Sequence, residues 1–223
     1  MKTKIFYFLV IVASIGCQVD NYPSPKLTLS GAIVDSSTGQ SVPSSGSNGG
    51  SFIEVFQGSS GQPLLFNTRP DGTFENSRVF PGNYKIVPIG PFSPVTDTFM
   101  ANIETDEKIN FKVIPNVTLT LSVLSAIDSV AQVKISFNKA NNGKQLLSVG
   151  VVWSTYPFPN VNVFPGGKII IDKSNLTGAV QGERSYTLSR LDPKNVYYVR
   201  AFALTQNPGS YYNYSVQDSL GMK

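Results

Sequence analysis

Two stretches of this chain combine aromatic rings with amides in a way that suits stacking chemistry. One is Tyr156-Pro-Phe158-Pro-Asn160 with Asn162 and Phe164, following Trp153, and the other is Asn207-Pro-Gly-Ser-Tyr211-Tyr212-Asn213-Tyr214. Flat aromatic faces accept the C–H groups of a sugar ring, while neighbouring amides and carboxylates bond its hydroxyls. Trp153, Tyr156, Phe158, Tyr211 and Tyr212 are therefore the candidate ligand contacts, with polysaccharide as the matching ligand. A plainer reading stands beside each. Trp153 alternates with Val151 along an apolar run, which is where a sandwich core places a tryptophan. Tyr211 and Tyr212 point to opposite faces of any strand, so at most one of them is core while the other is exposed. A third reactive group is Cys17, the sole thiol, which can be modified but can form no intrachain disulfide.

No reaction is legible. The chain has no histidine, which removes the commonest general base and the commonest transition-metal ligand. Glycoside hydrolysis needs two carboxylates roughly 5–10 Å apart in one cleft, and Glu54, Glu75, Glu104, Glu107 and Glu183 are scattered along the sequence. The abundant serines include no Gly-x-Ser-x-Gly elbow. Asp172, Ser174 and Asn175 offer oxygens at alternating positions, but lack the acidic density of a calcium loop and read as an Asx turn. The expectation is a protein that is not an enzyme and needs no cofactor or metal. Lys2 and Lys4 carry half of the formal charge of +4, so the chain beyond residue 16 holds only +2. That surplus is no footprint for nucleic acid, which requires clustered Lys and Arg.

The elements that must position these residues are strands. Short β-branched and aromatic runs alternate with Gly, Pro, Asn and Asp clusters, and no stretch sustains a helical period. Strands are expected at 27–35, 52–57, 64–68, 73–74, 84–89, 96–103 and 108–114, then at 117–124, 130–138, 146–154, 168–172, 185–188, 196–205 and 211–216. The Ser- and Gly-rich segment 36–51 reads as a solvated, mobile loop. Pro115-Asn116 marks a boundary between two sandwiches, 27–115 and 116–223.

The N-terminus is an address. Lys2 and Lys4 precede an apolar run from 5 to 15, and 11 residues at ~1.5 Å each fall short of the ~30 Å hydrocarbon core. Residues 1–16 are thus expected to be a removable signal segment. Ser14-Ile15-Gly16-Cys17 resembles the lipobox of bacterial lipoproteins, in which the cysteine is lipidated. The resemblance implies lipidation at Cys17, a tether over 17–26, and a membrane as partner through the lipid anchor. Asp20 resembles the acidic export signals of surface lipoproteins in Bacteroidota, which implies an outer-membrane, cell-surface location.

Within the first sandwich, Gly31-Ala-Ile-Val-Asp35, Arg69-Pro-Asp71-Gly72-Thr-Phe74 and Phe80-Pro81-Gly82-Asn-Tyr84 resemble carboxypeptidase regulatory-like domains, which are transthyretin-like. In the second, Leu191-Asp-Pro193 followed by Tyr197-Tyr198-Val-Arg200-Ala-Phe202 looks like the fibronectin type III pattern. There a corner tyrosine, here Tyr197 or Tyr198, bonds back to the backbone. Lipobox, transthyretin-like domain and fibronectin-like domain in that order resemble a family of uncharacterised Bacteroidota lipoproteins encoded beside Sus-type glycan transporters. The fold so implied is all-β, with two tandem β-sandwich domains. The function implied is a non-catalytic accessory or glycan-binding component of polysaccharide uptake, with a Sus-type transporter and a SusD-like protein as partners. The alternative is a structural or adhesion module that makes protein contacts without binding glycan.

Overall fold

The structure is a computed structural model describing residues 24–47, 49–59 and 61–221. The signal segment, Cys17 and most of the tether lie outside the described residues. Among the described residues sixteen strands follow in chain order: β1 (Leu27–Asp35), β2 (Phe52–Gln57), β3 (Leu64–Asn67), β4 (Thr73–Val79), β5 (Gly82–Ile89), β6 (Phe92–Pro94), β7 (Phe99–Ile103), β8 (Glu107–Pro115), β9 (Val117–Ile127), β10 (Val130–Lys139), β11 (Leu146–Ser154), β12 (Lys168–Asp172), β13 (Gln181–Ser189), β14 (Val196–Thr205), β15 (Tyr212–Tyr214) and β16 (Asp218–Gly221). The protein is all-β, and no described helix is long and apolar enough to cross a membrane.

Strands β1 to β8 form two facing sheets, ordered β4-β1-β8-β6 and β3-β2-β5-β7. All pairs are antiparallel except β1 with β8, which run parallel from Leu29↔Glu107 to Asp35↔Val113. Alternation drives inward one residue in two: Ile53 and Val55 are buried, and so are Leu29, Ile33, Tyr84, Ile86, Phe111 and Val113. Gly31 has to be glycine, because a Cβ there would lie 1.8 Å from the Ile109 carbonyl oxygen. The Arg69–Gly72 turn closes through the Gly72 N–H donating to the Arg69 carbonyl at 2.9 Å, with Gly72 at φ +82° as the sequence requires. Tyr84 re-enters the core and donates its hydroxyl to the Phe80 carbonyl at 2.8 Å.

Strands β9 to β16 form a second sandwich, β13-β10-β9 against β12-β11-β14-β15, with β16 also pairing β14. Val133, Ile135, Val149, Val151, Trp153, Leu188, Val199 and Ala201 fill its core. Tyr197 is the corner residue: its hydroxyl accepts the Asp192 N–H at 2.9 Å, while Leu191 is buried just before the turn. Two short strands, β6 and β16, were not expected from the sequence. Three and four residues carry too little periodicity to register.

A locked seam joins the sandwiches. Asn116, between β8 and β9, is fully buried. Its N–H donates to the Pro91 carbonyl at 2.9 Å and its own carbonyl accepts from the Ala140 N–H at 2.9 Å. Its amide Nδ2 donates to Thr205 Oγ1 at 3.1 Å, and Oδ1 accepts from Asn142 Nδ2 at 2.8 Å and Lys144 Nζ at 3.2 Å. Asn213 is bonded on both ends of its amide, accepting from the Val117 N–H at 3.2 Å and donating to the Pro91 carbonyl at 3.0 Å.

Segment 36–51 corrects an expectation. Among the described residues of the segment, 36–41 and Ser47 face solvent. Val42, Ser44, Ser45 and Ser51 are buried, with the Val42 N–H on the Ile33 carbonyl at 2.8 Å and the Ser51 N–H on Ser44 Oγ at 2.9 Å. Serine and glycine resemble a flexible linker in composition, yet they are also the residues that lie flat in a tight seam. A Cβ on Gly50 would sit 2.3 Å from Ser45 Oγ.

Candidate functional site

The site is built on the outer face of the β12-β11-β14-β15 sheet. This face carries its own small apolar cluster of Val152, Phe202 and Tyr214, covered by Val161, Phe164, Ile169 and Tyr212. Residues 155–167, connecting β11 to β12, fold back across the sheet, and the Val161 N–H donates to the Tyr214 hydroxyl at 3.2 Å. Both aromatic stretches therefore meet on one face, a question the sequence left open. The first sandwich closes over them: Asn160 Nδ2 donates to the Ser45 carbonyl at 3.3 Å, Arg200 Nη1 to the Ser44 carbonyl at 2.8 Å, and the Tyr212 N–H to the Gly49 carbonyl at 3.0 Å.

That closure sorts the candidate residues. Trp153 is 4% exposed and belongs to the sandwich core, so its face cannot meet a ligand; the ligand-contact reading of Trp153 is corrected to the plainer one. Tyr212 is half-buried, with its ring centroid 5.8 Å from Phe202 and 6.4 Å from Tyr214. Tyr211 packs edge-on against Phe52 of the first sandwich at 5.8 Å and lines a groove of about 510 Å³ with Lys144, Asn207 and Phe92. Tyr156 and Phe158 remain 64% and 46% exposed.

Phe158 lines a second interdomain groove, of about 520 Å³, facing Gln40, Ser41 and Asp71 of the first sandwich and sharing its own side with Arg200 and Gln217. Its backbone is left-handed, at φ +56°, a conformation that costs a bulky residue about 1–3 kcal/mol. Prolines flank it on both sides, and Gln217 Oε1 accepts its N–H. Asp71 is held in a turn by the Thr73 N–H at 2.9 Å and the Thr73 hydroxyl at 2.7 Å. Burial pushes its carboxyl up, but the Thr73 bonds and the Arg69 charge outweigh that and hold it below the usual value, hence ionised.

Arg200 sits at the groove's base, 1% exposed. Nε donates to the Ser215 carbonyl at 3.2 Å and Nη1 to the Ser44 carbonyl, while the guanidinium lies 4.5 Å from the Tyr214 ring centroid. Burial lowers its pKa to about 10, leaving it cationic at neutral pH. Burial raises Tyr214 to about 12, so that ring stays a neutral phenol and supplies no counter-charge. At the other suspected site, Asp172 forms the expected Asx turn, accepting from the Ser174 N–H at 2.8 Å and hydroxyl at 2.5 Å. No group of three potential metal ligands occurs among the described residues.

Arg200, Gln217 and Gln40 were missed in the sequence. A signal for Arg200 was present. On β14 it alternates with Tyr198 and Phe202, opposite the core-facing Val199 and Ala201. A cation between two aromatics on the second face of a core strand marks that face as covered too.

Residues 27–114 match the N-terminal domain of a protein family of unknown function, DUF3823. No curated protein matches the chain. Among solved structures, a DUF3823 family protein from Bacteroides uniformis superposes with a TM-score of 0.76 at 18% identity, covering 90% of this chain and 100% of its own. One from Parabacteroides merdae gives 0.71 at 17%, covering 89% and 100%. A candidate carbohydrate-binding protein from Bacteroides uniformis gives 0.69 at 20% identity, over 88% of this chain and 99% of its own. At such identities the likeness is one of fold.

Proposed function

We propose that this protein, whose residues 27–114 are a DUF3823 N-terminal domain, is a non-catalytic, lipid-anchored accessory of an outer-membrane polysaccharide uptake system and binds glycan in the Phe158 groove. The observation that carries the reading is the Phe158 ring, kept 46% exposed at a groove edge in a backbone conformation that favours glycine. Strain retained for an exposed apolar side chain points to use of that side chain. Around it stand the groups that bond sugar hydroxyls: the Gln217 and Gln40 amides, the Ser41 hydroxyl and the Asp71 carboxylate. The fold shared with a candidate carbohydrate-binding protein supports the same reading. Lipid on Cys17, at the end of the signal segment, supplies the anchor, and multiple acyl chains give the stable attachment one chain does not. The scattered carboxylates and the lack of histidine favour binding without turnover.

The test is calorimetric titration of the purified protein against a polysaccharide panel, with Phe158→Ala as the matched variant. Loss of the stacking face is expected to weaken binding about tenfold, equivalent to ~1.4 kcal/mol. Equal affinity for the variant would remove Phe158 from the site, and turnover of any polysaccharide would overturn the non-catalytic reading. A docking reading is favoured by one observation, the exposed Leu64 and Leu65 on the edge strand β3. Pull-down of a transporter component with no polysaccharide binding would support it instead.

A further inference from the structure

We infer that the ligand is a neutral polysaccharide held through several consecutive sugars, along a trough longer than the Phe158 groove alone. The inference rests on the glycan reading of that groove. Beyond Phe158 lies a second cavity, of about 320 Å³, between the sandwiches. Gln40, Ser41, Pro43 and Val216 line both spaces, so the two form one trough with a shared waist. Each compartment by itself is in the range of roughly 300–1,000 Å³ that takes up a small molecule. One sugar ring stacked on Phe158 leaves the far compartment unfilled.

The same chemistry continues along the trough. The near compartment holds Phe158, Asp71 and the Gln217 amide, and the far one holds Thr38, Thr118 and Thr120. All three threonines are exposed, as are Gln40 and Ser41 at the waist. Among the described residues the Gln40 amide and the Ser41 and Thr120 hydroxyls have no hydrogen-bond partner. Pro43, Leu119 and Val216 set aliphatic surface beside these polar groups. Because β9 ends its sheet, its outer backbone edge along the far compartment has no strand partner. Hydroxyl-bonding groups interspersed with aliphatic patches match a sugar chain, in which every ring has a C–H face and a rim of hydroxyls. A purely apolar chain would leave the same groups dry and unpaired.

Charge selects a neutral chain. Asp71 stays ionised in the near compartment, where it accepts sugar hydroxyls and repels a polyanion. Arg200 does not offset that repulsion. It is 1% exposed, and its guanidinium is held by the Ser44 and Ser215 carbonyls and the Tyr214 ring. No other Lys or Arg among the described residues lines either compartment.

The experiment begins with the unaltered protein, titrated by calorimetry with amylose, mixed-linkage β-glucan, arabinoxylan, galactomannan and polygalacturonate. A neutral polymer should bind, and polygalacturonate should bind about tenfold more weakly or less. Preference for polygalacturonate overturns the neutral assignment and leaves glycan binding intact. The disaccharide and hexasaccharide of the tightest neutral polymer then measure the length of the site. The hexasaccharide should bind about tenfold more tightly, because it reaches both compartments. Equal affinities overturn the extended trough while glycan binding at Phe158 stands. Absence of binding to every polysaccharide overturns both. Thr120→Tyr fills the far compartment from an exposed strand position that tyrosine suits. With an unchanged melting profile, it should bring the affinity ratio of hexasaccharide to disaccharide close to one. A folded Thr120→Tyr protein that keeps the full ratio would also sink the trough.

Discussion

In the loop 155–167 two aromatic rings, Tyr156 and Phe158, stay in solvent, whereas in the segment 207–214 Tyr211 and Tyr212 lie against Phe52 and Phe202. The raw material is alike: aromatics, prolines and asparagines in a polar stretch. The difference lies in what the backbone is tied to. Tyr212 begins β15, pairs with Leu204, and donates its N–H to Gly49 of the other sandwich, so ladder and seam together pull its neighbourhood inward. Phe158 sits between prolines in a left-handed turn held by Gln217, with no ladder to join. Loop aromatics thus become packing where a ladder or a seam bond ties their backbone down, and those left out are held out by local geometry.

The comparison can be tested from its root outward. Trp153 anchors the first loop from within the core, and Trp153→Ala should cost ~3–5 kcal/mol of stability by thermal or denaturant unfolding. A mild effect would mean the ring is less packed than its burial indicates. Asn116→Ala strips the seam of its shared amide and leaves Thr205, Asn142 and Lys144 without it. A loss of ~1–3 kcal/mol is expected, together with faster proteolysis between the sandwiches. Tyr212→Ala should lower stability by ~0.5–1.5 kcal/mol through its ring contacts and leave glycan affinity unchanged, the opposite of Phe158→Ala. Phe158→Gly relieves the left-handed strain, so its melting temperature should match or exceed that of the unaltered protein while glycan binding falls. A clear drop in melting temperature would show that the ring is structural.

The smallest effect concerns pH. The Ser174 hydroxyl bond, helped by Arg184 and opposed by burial, holds the Asp172 carboxyl below its usual 3.8. A depressed carboxylate contributes stability that is present above its unfolded pKa and is lost as pH falls through the folded one. Asp172→Asn should therefore be less stable than the parent near neutral pH, and the gap should close below about pH 3.8. A gap that is constant with pH would assign the effect to packing instead.

Much of the fold was legible because alternation is a local property. Phe52, Ile53, Glu54 and Val55 announce a strand by themselves, Asp71-Gly72 announces its turn, and Leu191-Asp-Pro193 ahead of Tyr197 announces the corner. The site was half legible. Tyr156 and Phe158 stood out because aromatics between prolines have few ways to be buried. Arg200, Gln217 and Gln40 did not, because Gln40 lies 160 and 177 residues from Arg200 and Gln217, and no local pattern records that meeting. Segment 36–51 misled because its composition fits both a solvated linker and a close-packed seam.

By itself, then, the sequence determined the all-β class, the order of two sandwiches, and which loops are rich in rings, since period-two burial and turn chemistry act over a few residues. Tertiary structure alone decided which rings remain available and that a buried cation underlies one of them. Exposure and electrostatics depend on how sheets and domains cover one another, and those contacts join residues that the chain keeps far apart.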